Sequence, residues 1–172
     1  SNLSELFLTW EAGQLNKLNE LLTTVDENEK ENSALLSLIV AESEYLNKRF
    51  PEAVQEFRLY SEMENSDKEY ANYALGHSFK QYYRFNNTAY YWIKNLSNEK
   101  TVHDSLALYN LANLYHQTKN YATAETYFKT YLDKYELAKE QKGFYLRYLD
   151  ILLQLKKIGR LRDILEKDKN IL

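Results

Sequence analysis

The sequence predicts an all-α protein, a right-handed superhelical solenoid of antiparallel helix pairs with about ten helices. The first observation is a motif of two aromatic residues around a small one, which recurs after 35 and then 36 residues: Phe50, Ala53 and Phe57; Phe85, Thr88 and Trp92; Tyr121, Ala124 and Phe128. The second is the helical spacing of the apolar residues between these motifs. The third is the scarcity of turn residues, with one proline and four glycines in 172 residues. Repeats of this length bury their apolar faces by stacking on one another.

Composition sets the limits of this interpretation. A chain with 44% hydrophobic residues and a net charge of −3 can form a core, so we expect one domain over residues 1–172. The longest apolar run, 34–41, is interrupted by Ser37 and is far shorter than the roughly 18 residues of a membrane helix, so no membrane span is predicted. The opening Ser1-Asn2 resembles a cloning remnant and begins no signal-peptide pattern. The lack of cysteine fits the cytoplasm and the periplasm alike, so the localisation is not predicted.

The domain is expected to contain five repeats, at about residues 1–30, 33–66, 67–100, 101–136 and 137–172. In the first repeat, apolar residues follow helical spacing on either side of Gly13: Leu3, Leu6, Phe7 and Trp10, then Leu15, Leu18, Leu21 and Leu22. In the second repeat, Pro51 stands where proline is tolerated best, in the opening turn of a second helix. The residues expected to face inward from that helix are Ala53, Val54, Phe57 and Tyr60.

The third repeat opens with Ser66-Asp67-Lys68-Glu69, a capping-box pattern that predicts a helix start near Asp67 with the Ser66 hydroxyl as the cap. A turn at 84–87 and a helix over 89–96 should follow. The fourth repeat has its apolar positions at Leu108, Leu111, Ala112, Tyr115, Ala124 and Phe128. The fifth is the least regular, with Tyr148, Ile151, Leu152 and Leu155 on one helix and Leu161, Ile164 and Leu165 on another.

The segment Leu111-Ala112-Asn113-Leu114-Tyr115, with Ala124 and Phe128 after it, resembles the tetratricopeptide repeat, and so does Leu75-Gly76-His77-Ser78-Phe79. The resemblance covers about residues 33–135. Small residues at Gly76 and Ala112 let the paired helix approach closely, and the aromatic residues fill the space between pairs. The chain departs from the family pattern at Thr88, where alanine is usual, and at Glu44, where an aromatic residue is usual.

In that family the first helices line a concave face. The resemblance therefore implies a partner-binding groove with three residues of the second repeat, Leu38, Glu42 and Tyr45, and nine residues of the next two: Tyr70, Tyr73, His77, Lys80, Tyr109, Asn110, Asn113, His116 and Gln117. Tyrosine and asparagine suit an extended peptide, because they combine contact area with hydrogen bonding to a backbone. Asn110 and Asn113 match family positions that clamp a terminal carboxylate. The basic residues of that clamp are missing, since their places hold Leu38, Glu42, Ala74 and Leu106.

The sequence offers little for catalysis. His77, His103 and His116 form no ligand pair of metal-site spacing, and His77 and His116 are expected on exposed stretches of first helices. No glycine-rich phosphate loop is present in the sequence. We therefore predict no catalytic residue, no metal and no cofactor, and the acidic net charge argues against nucleic acid as a partner.

The predicted function is a non-enzymatic interaction module, which binds a peptide or partner protein in the concave groove as part of a larger protein or assembly. The alternative is the peptide-sensing helical repeat domain of a signalling or transcriptional regulator. Apolar residues near the C-terminus need a cover: Leu161, Ile164, Leu165, Ile171 and Leu172. A further helix, a second copy of the chain in a homo-oligomer, or an acidic N-terminal segment of a neighbour would provide one.

Overall fold

The computed structural model describes residues 2–167, which form eleven α-helices, a 3-10 turn at Lys139–Gln141 and no strand. The prediction of an all-α protein is confirmed, although the described range alone holds one helix more than the expected ten. The helices are α1 (Leu3–Glu11), α2 (Leu15–Leu22), α3 (Glu27–Glu31), α4 (Ala34–Leu46), α5 (Phe50–Glu62), α6 (Lys68–Gln81), α7 (Phe85–Ile93), α8 (Val102–Gln117), α9 (Tyr121–Lys134), α10 (Lys142–Gln154) and α11 (Ile158–Lys167).

The chain divides into two compact units, with the boundary between Lys94 and Asn95. The N-terminal unit contains α1 to α7 and the C-terminal unit contains α8 to α11. Within each unit a helix packs against the next one along the chain, most closely α4 on α5, α6 on α7 and α8 on α9. This arrangement of helix pairs is that of a helical repeat. The right-handed superhelix remains a prediction.

The turns inside the helix pairs repeat one backbone geometry. Two residues before each second helix, the backbone takes a positive φ: Gly13 (69°), Lys48 (60°), Tyr83 (65°), Lys119 (61°) and Lys156 (59°). The next amide donates to a carbonyl five residues back, as Arg49 N does to Glu44 O at 2.9 Å. This is the Schellman motif, which ends a helix by satisfying its last carbonyls. The motif recurs after 35, 35, 36 and 37 residues, so the repeat in the sequence is also a repeat of the backbone.

Several helix starts have side-chain caps, and one differs from the prediction. Asp67, not Ser66, caps α6, because its Oδ1 accepts a hydrogen bond from Tyr70 N at 2.9 Å. The Ser66 hydroxyl instead donates to the Met63 carbonyl at 2.7 Å. The expected turn at 84–87 was also misplaced, since α7 already begins at Phe85. Pro51 lies in the first turn of α5, as predicted.

Two apolar clusters stabilise the N-terminal unit. Leu6, Leu18, Leu36 and Ile39 join α1, α2 and α4. The second cluster joins α4, α5 and α6 through Ala41, Ala53, Val54, Phe57, Ala74, Leu75 and Phe79. The predicted inward positions of α5 are all buried.

The C-terminal unit has one core, around Phe128 and Phe144, whose rings stack with centroids 4.3 Å apart. Leu161 and Ile164 pack partly against this core. Leu165 keeps 38% of its surface exposed, whereas Ile171 and Leu172 lie outside the described residues. Of the described residues expected to need a cover, Leu161 and Ile164 are thus partly covered by the unit itself and Leu165 is not. No helix in the described range has the length and apolar character needed to cross a membrane.

Candidate functional site

One face of α6 lines a pocket in the N-terminal unit. The spacing of Tyr70, Tyr73 and His77 places them on the same side of the helix, opposite α4 and above Phe57 of α5. The cavity has a volume of about 270 Å³, and its lining residues are Glu42, Tyr45, Phe57, Tyr70, Tyr73, Ala74 and His77. The structure thus brings together three of the predicted site residues with Glu42 and Tyr45, which were expected in the same groove.

A carboxylate and a tyrosine are paired at this pocket. The Tyr70 hydroxyl donates a hydrogen bond to Glu42 Oε1. Burial raises the pKa of Glu42, and this hydrogen bond opposes the rise. Burial also raises the pKa of Tyr70, and the Glu42 carboxylate raises it further. Tyr70 is therefore a neutral hydrogen-bond donor near pH 7.

The other two tyrosines are held by neighbours on α6. Gln81 Nε2 donates to the Tyr45 hydroxyl at 3.1 Å. The Tyr73 ring lies between the rings of Tyr70 and His77, with centroid distances of 6.0 and 4.5 Å. Burial raises the pKa of Tyr73 as well. The pocket wall is thus a row of aromatic rings held by neighbouring side chains.

His77 was expected on an exposed stretch, and that expectation is wrong. Its ring is half-buried between Tyr73 and Trp92, edge-on to both, at 4.5 and 4.9 Å between centroids. Burial, with a smaller contribution from the Lys80 charge, lowers the pKa of His77 to about 4. The imidazole is therefore neutral near pH 7. Its Nε2 is buried without a hydrogen-bond partner in the described part of the chain.

The rear of α6 is fixed by α7. Trp92 Nε1 donates to the Tyr73 carbonyl at 3.1 Å, and Thr88 Oγ1 donates to the Gly76 carbonyl at 3.0 Å. The threonine that departs from the family pattern thus contributes a buried hydrogen bond between the helices. These contacts hold the backbone segment that carries Tyr73 and His77.

Lys80 is half-buried at the end of α6 and is not part of the pocket lining. Its ammonium is close enough to act electrostatically on His77. It therefore borders the pocket without closing it.

In the C-terminal unit, three predicted site residues on α8 contact α10. Tyr109 stacks on Phe144 with centroids 4.6 Å apart. Asn113 Oδ1 accepts a hydrogen bond from Arg147 Nε at 2.7 Å. His116 Nε2 lies 2.7 Å from Asp150 Oδ2, and this hydrogen bond lowers the pKa of Asp150. These side chains connect neighbouring first helices, so their roles include helix packing.

The two remaining predicted residues lie on the same helix. Asn110 is half-buried and Gln117 is exposed at the end of α8. Neither is brought to a described cavity with Tyr109, Asn113 or His116. The C-terminal half of the predicted groove therefore has no pocket comparable to that of α6 in the part of the chain that is described.

Sequence reasoning missed a buried charge cluster in the C-terminal unit. Asp104 is 1% exposed and accepts hydrogen bonds from Ser97 N at 2.8 Å, Lys134 Nζ at 2.7 Å and the Tyr135 hydroxyl at 2.5 Å. Burial alone would raise the pKa of Asp104, but these hydrogen bonds outweigh it and lower the pKa. A carboxylate with all its partners inside the fold is a structural element, which connects the start of α8 to the end of α9.

A larger cavity, of about 680 Å³, lies beside α2, α4 and α5. Its charged residues pair with one another: Lys30 Nζ is 2.8 Å from Glu27 and 3.1 Å from Glu56, and Arg49 Nε is 2.8 Å from Glu44. Because these charges are already compensated, this cavity is a weaker candidate than the α6 pocket.

Among residues 2–167, no group of three or more histidine, cysteine, aspartate or glutamate side chains is placed to hold a metal ion. Comparisons of the chain with protein-family models, with curated proteins and with solved structures found no match.

Proposed function

We propose that the chain is a non-enzymatic interaction module, a tetratricopeptide-like helical repeat whose first helices bind an extended peptide or the surface of a partner protein. The observation that carries the proposal is the α6 pocket, in which Tyr45, Tyr70 and Tyr73 present their rings and hydrogen bonds orient the hydroxyl groups of Tyr45 and Tyr70. Tyrosines of this kind give much contact area for little loss of side-chain entropy.

The raised pKa values of the two pocket tyrosines on α6 support ligand binding rather than catalysis. Raised pKa values keep Tyr70 and Tyr73 protonated, so they are donors and not nucleophiles. The Glu42 carboxylate accepts a hydrogen bond from the Tyr70 hydroxyl, and its other acceptor positions suit a polar group of a ligand.

The test is selection from a random peptide library, followed by affinity measurements on variants. Tyr73→Ala is expected to weaken the selected peptides about tenfold or more, since buried tyrosines dominate such interfaces. Tyr45→Ala, which removes a pocket tyrosine on α4, is expected to weaken peptide binding in the same way. Tyr90→Ala is the matched control, because Tyr90 is 58% exposed on the second helix α7.

Circular dichroism must show that the variants keep their helical content. Equal affinity of the parent, Tyr73→Ala and Tyr45→Ala for the selected peptides would refute this binding face. Selection of no peptide at all would refute the peptide-binding function.

A further inference from the structure

We propose that the α6 pocket is a lysine site, which takes the side-chain ammonium of a bound peptide against Glu42 and the surrounding tyrosine rings. This inference rests on the proposed function and names the side chain that the peptide places there. From the sequence, the residues of this pocket were expected only as part of a general peptide groove.

The Glu42 carboxylate has a hydrogen-bond donor but no basic partner in the described chain. Glu42 accepts from the Tyr70 hydroxyl, and no basic residue of the described chain contributes to its electrostatics. A carboxylate has room for about four hydrogen bonds, so most of its acceptor capacity is free. Glu42 is half-buried, and a partly desolvated charge without a counter-charge is unfavourable. A bound ammonium would supply that counter-charge.

Aromatic rings form most of the pocket wall. Three tyrosine rings and the neutral His77 surround a cavity of about 270 Å³. Faces of aromatic rings attract cations, most strongly where water is excluded. His77 adds a buried Nε2 without a partner, which an ammonium N–H could satisfy in the matching tautomer. Ring faces and one carboxylate are the two components of an ammonium site.

The hydrogen bond from Tyr70 to Glu42 favours lysine over arginine as the ligand. Arginine binds a carboxylate best with two parallel hydrogen bonds, one to each oxygen. At Glu42 the Tyr70 hydroxyl already uses one acceptor position of Oε1 and hinders that arrangement. A lysine ammonium needs only a single oxygen and is therefore the better fit.

The net charge of the N-terminal unit also favours a cationic ligand. Residues 1–94 contain nine basic and fifteen acidic residues, a net charge of −6. Such a field raises the local concentration of basic peptides and speeds their association.

The experiment uses small probes, so that it does not depend on a known partner. N-acetyl-lysine methylamide is titrated into protein with labelled tyrosines, and their ring signals are followed by NMR. We expect saturable shifts at millimolar concentration, as suits a small fragment. N-acetyl-norleucine methylamide, which lacks the charge, and the arginine analogue should each bind at least about tenfold more weakly.

Glu42→Gln tests the counter-charge. Glutamine keeps an acceptor for Tyr70, so the fold should persist, while lysine-probe affinity should fall about tenfold or more. Glu62→Gln is the matched control, because it removes one exposed negative charge from α5 and leaves the pocket untouched. The parent and Glu62→Gln should bind alike.

The urea midpoint provides a second readout for Glu42→Gln. It should be unchanged or higher than that of the parent, since an amide is buried at lower cost than an unpaired carboxylate. A large decrease would mean that Glu42 is a structural residue and would overturn the lysine site.

The outcomes distinguish this inference from the proposed function. If selected peptides need Tyr73 but show no preference for lysine, and Glu42→Gln binds them normally, the lysine site is refuted and the peptide groove stands. If the lysine probe binds through Glu42 and no peptide is selected, the site stands and the peptide-binding function fails. Equal binding of the norleucine and lysine probes overturns the lysine site directly.

Discussion

Gly76 and Trp92 occupy adjoining space so closely that a Cβ atom at residue 76 would lie 2.1 Å from Trp92 Nε1. Trp92 is 1% exposed, and its Nε1 donates to the Tyr73 carbonyl. The indole therefore has little freedom to move away. This contact sets the approach of α7 to α6 and with it the position of the pocket residues on α6.

Gly76→Ala is expected to destabilise the N-terminal unit by about 2 kcal/mol or more, although alanine favours a helix by about 1 kcal/mol. Leucine at the same position should be worse. Both tryptophans of the chain, Trp10 and Trp92, lie in this unit, so urea unfolding followed by tryptophan fluorescence measures its stability.

Gly159→Ala, in the C-terminal unit, is the control for that substitution, and its urea unfolding is followed by circular dichroism. No atom lies within 4 Å of a Cβ built at Gly159 in α11, so alanine should be neutral or slightly stabilising there. An unchanged urea midpoint for Gly76→Ala would mean that α6 and α7 are packed differently.

At the positive-φ positions of the repeated turns, a change to glycine should stabilise the fold and a change from glycine to alanine should destabilise it. Lys119 holds a φ of 61°, which is unfavourable for a residue with a side chain, and it is exposed. Lys119→Gly should raise the free energy of unfolding by about 0.5–1 kcal/mol. Gly13→Ala, at a φ of 69°, should lower it by a similar amount. Thermal unfolding followed by circular dichroism measures both, and a loss of stability in Lys119→Gly would contradict the turn geometry.

The half-buried His77 ring predicts acid sensitivity of the N-terminal unit. Its pKa is about 4 in the fold and 6.5 in an ordinary environment. The unfolded chain therefore takes up the proton first as the pH falls. The stability that neutral His77 contributes is present above pH 6.5 and is lost between pH 6.5 and 4, by about 3 kcal/mol in all.

Fluorescence-detected urea titrations across this range check the prediction. His77 is the only histidine of residues 1–94, so His77→Gln should remove the loss of stability that the parent shows between pH 6.5 and 5. The other titratable groups around the ring are Lys80, Tyr70 and Tyr73 on α6 and Glu42 and Tyr45 on α4. If the parent and the variant respond equally to pH, the imidazole is not buried as described.

In the C-terminal unit, Asp104→Asn is expected to cost about 3 kcal/mol, because it leaves the Lys134 ammonium without its buried partner. The pKa of Asp104 is lowered in the fold, so its contribution is present above the usual aspartate range and is lost as the pH falls through the folded value. Hydrogen exchange of the α8 and α9 amides measures the change.

Asp150→Asn provides the comparison for that substitution. The Asp150 side chain is 42% exposed beside His116, so its loss should cost less than about 1 kcal/mol. Equal effects of the two substitutions would contradict the buried role of Asp104.

The sequence by itself predicted most of the helices, their pairing along the chain and the need for a small residue at position 76, but not α3 or the start of α7. These features depend on local periodicity and on a spacing of about 35 residues, both of which can be counted along the chain. The resemblance to the tetratricopeptide repeat also assigned Tyr70, Tyr73 and His77 to one groove, and residues at this spacing lie on one face of a helix.

Tertiary structure alone decided which of these residues meet. Glu42 and Tyr70 are 28 residues apart, and Asn113 and Arg147 are 34 apart. Each pairing depends on how far one helix is displaced along the next, and residue spacing does not encode that displacement. For the same reason His77 could be assigned to a helix face but not to a depth, since its burial is produced by Trp92 on another helix.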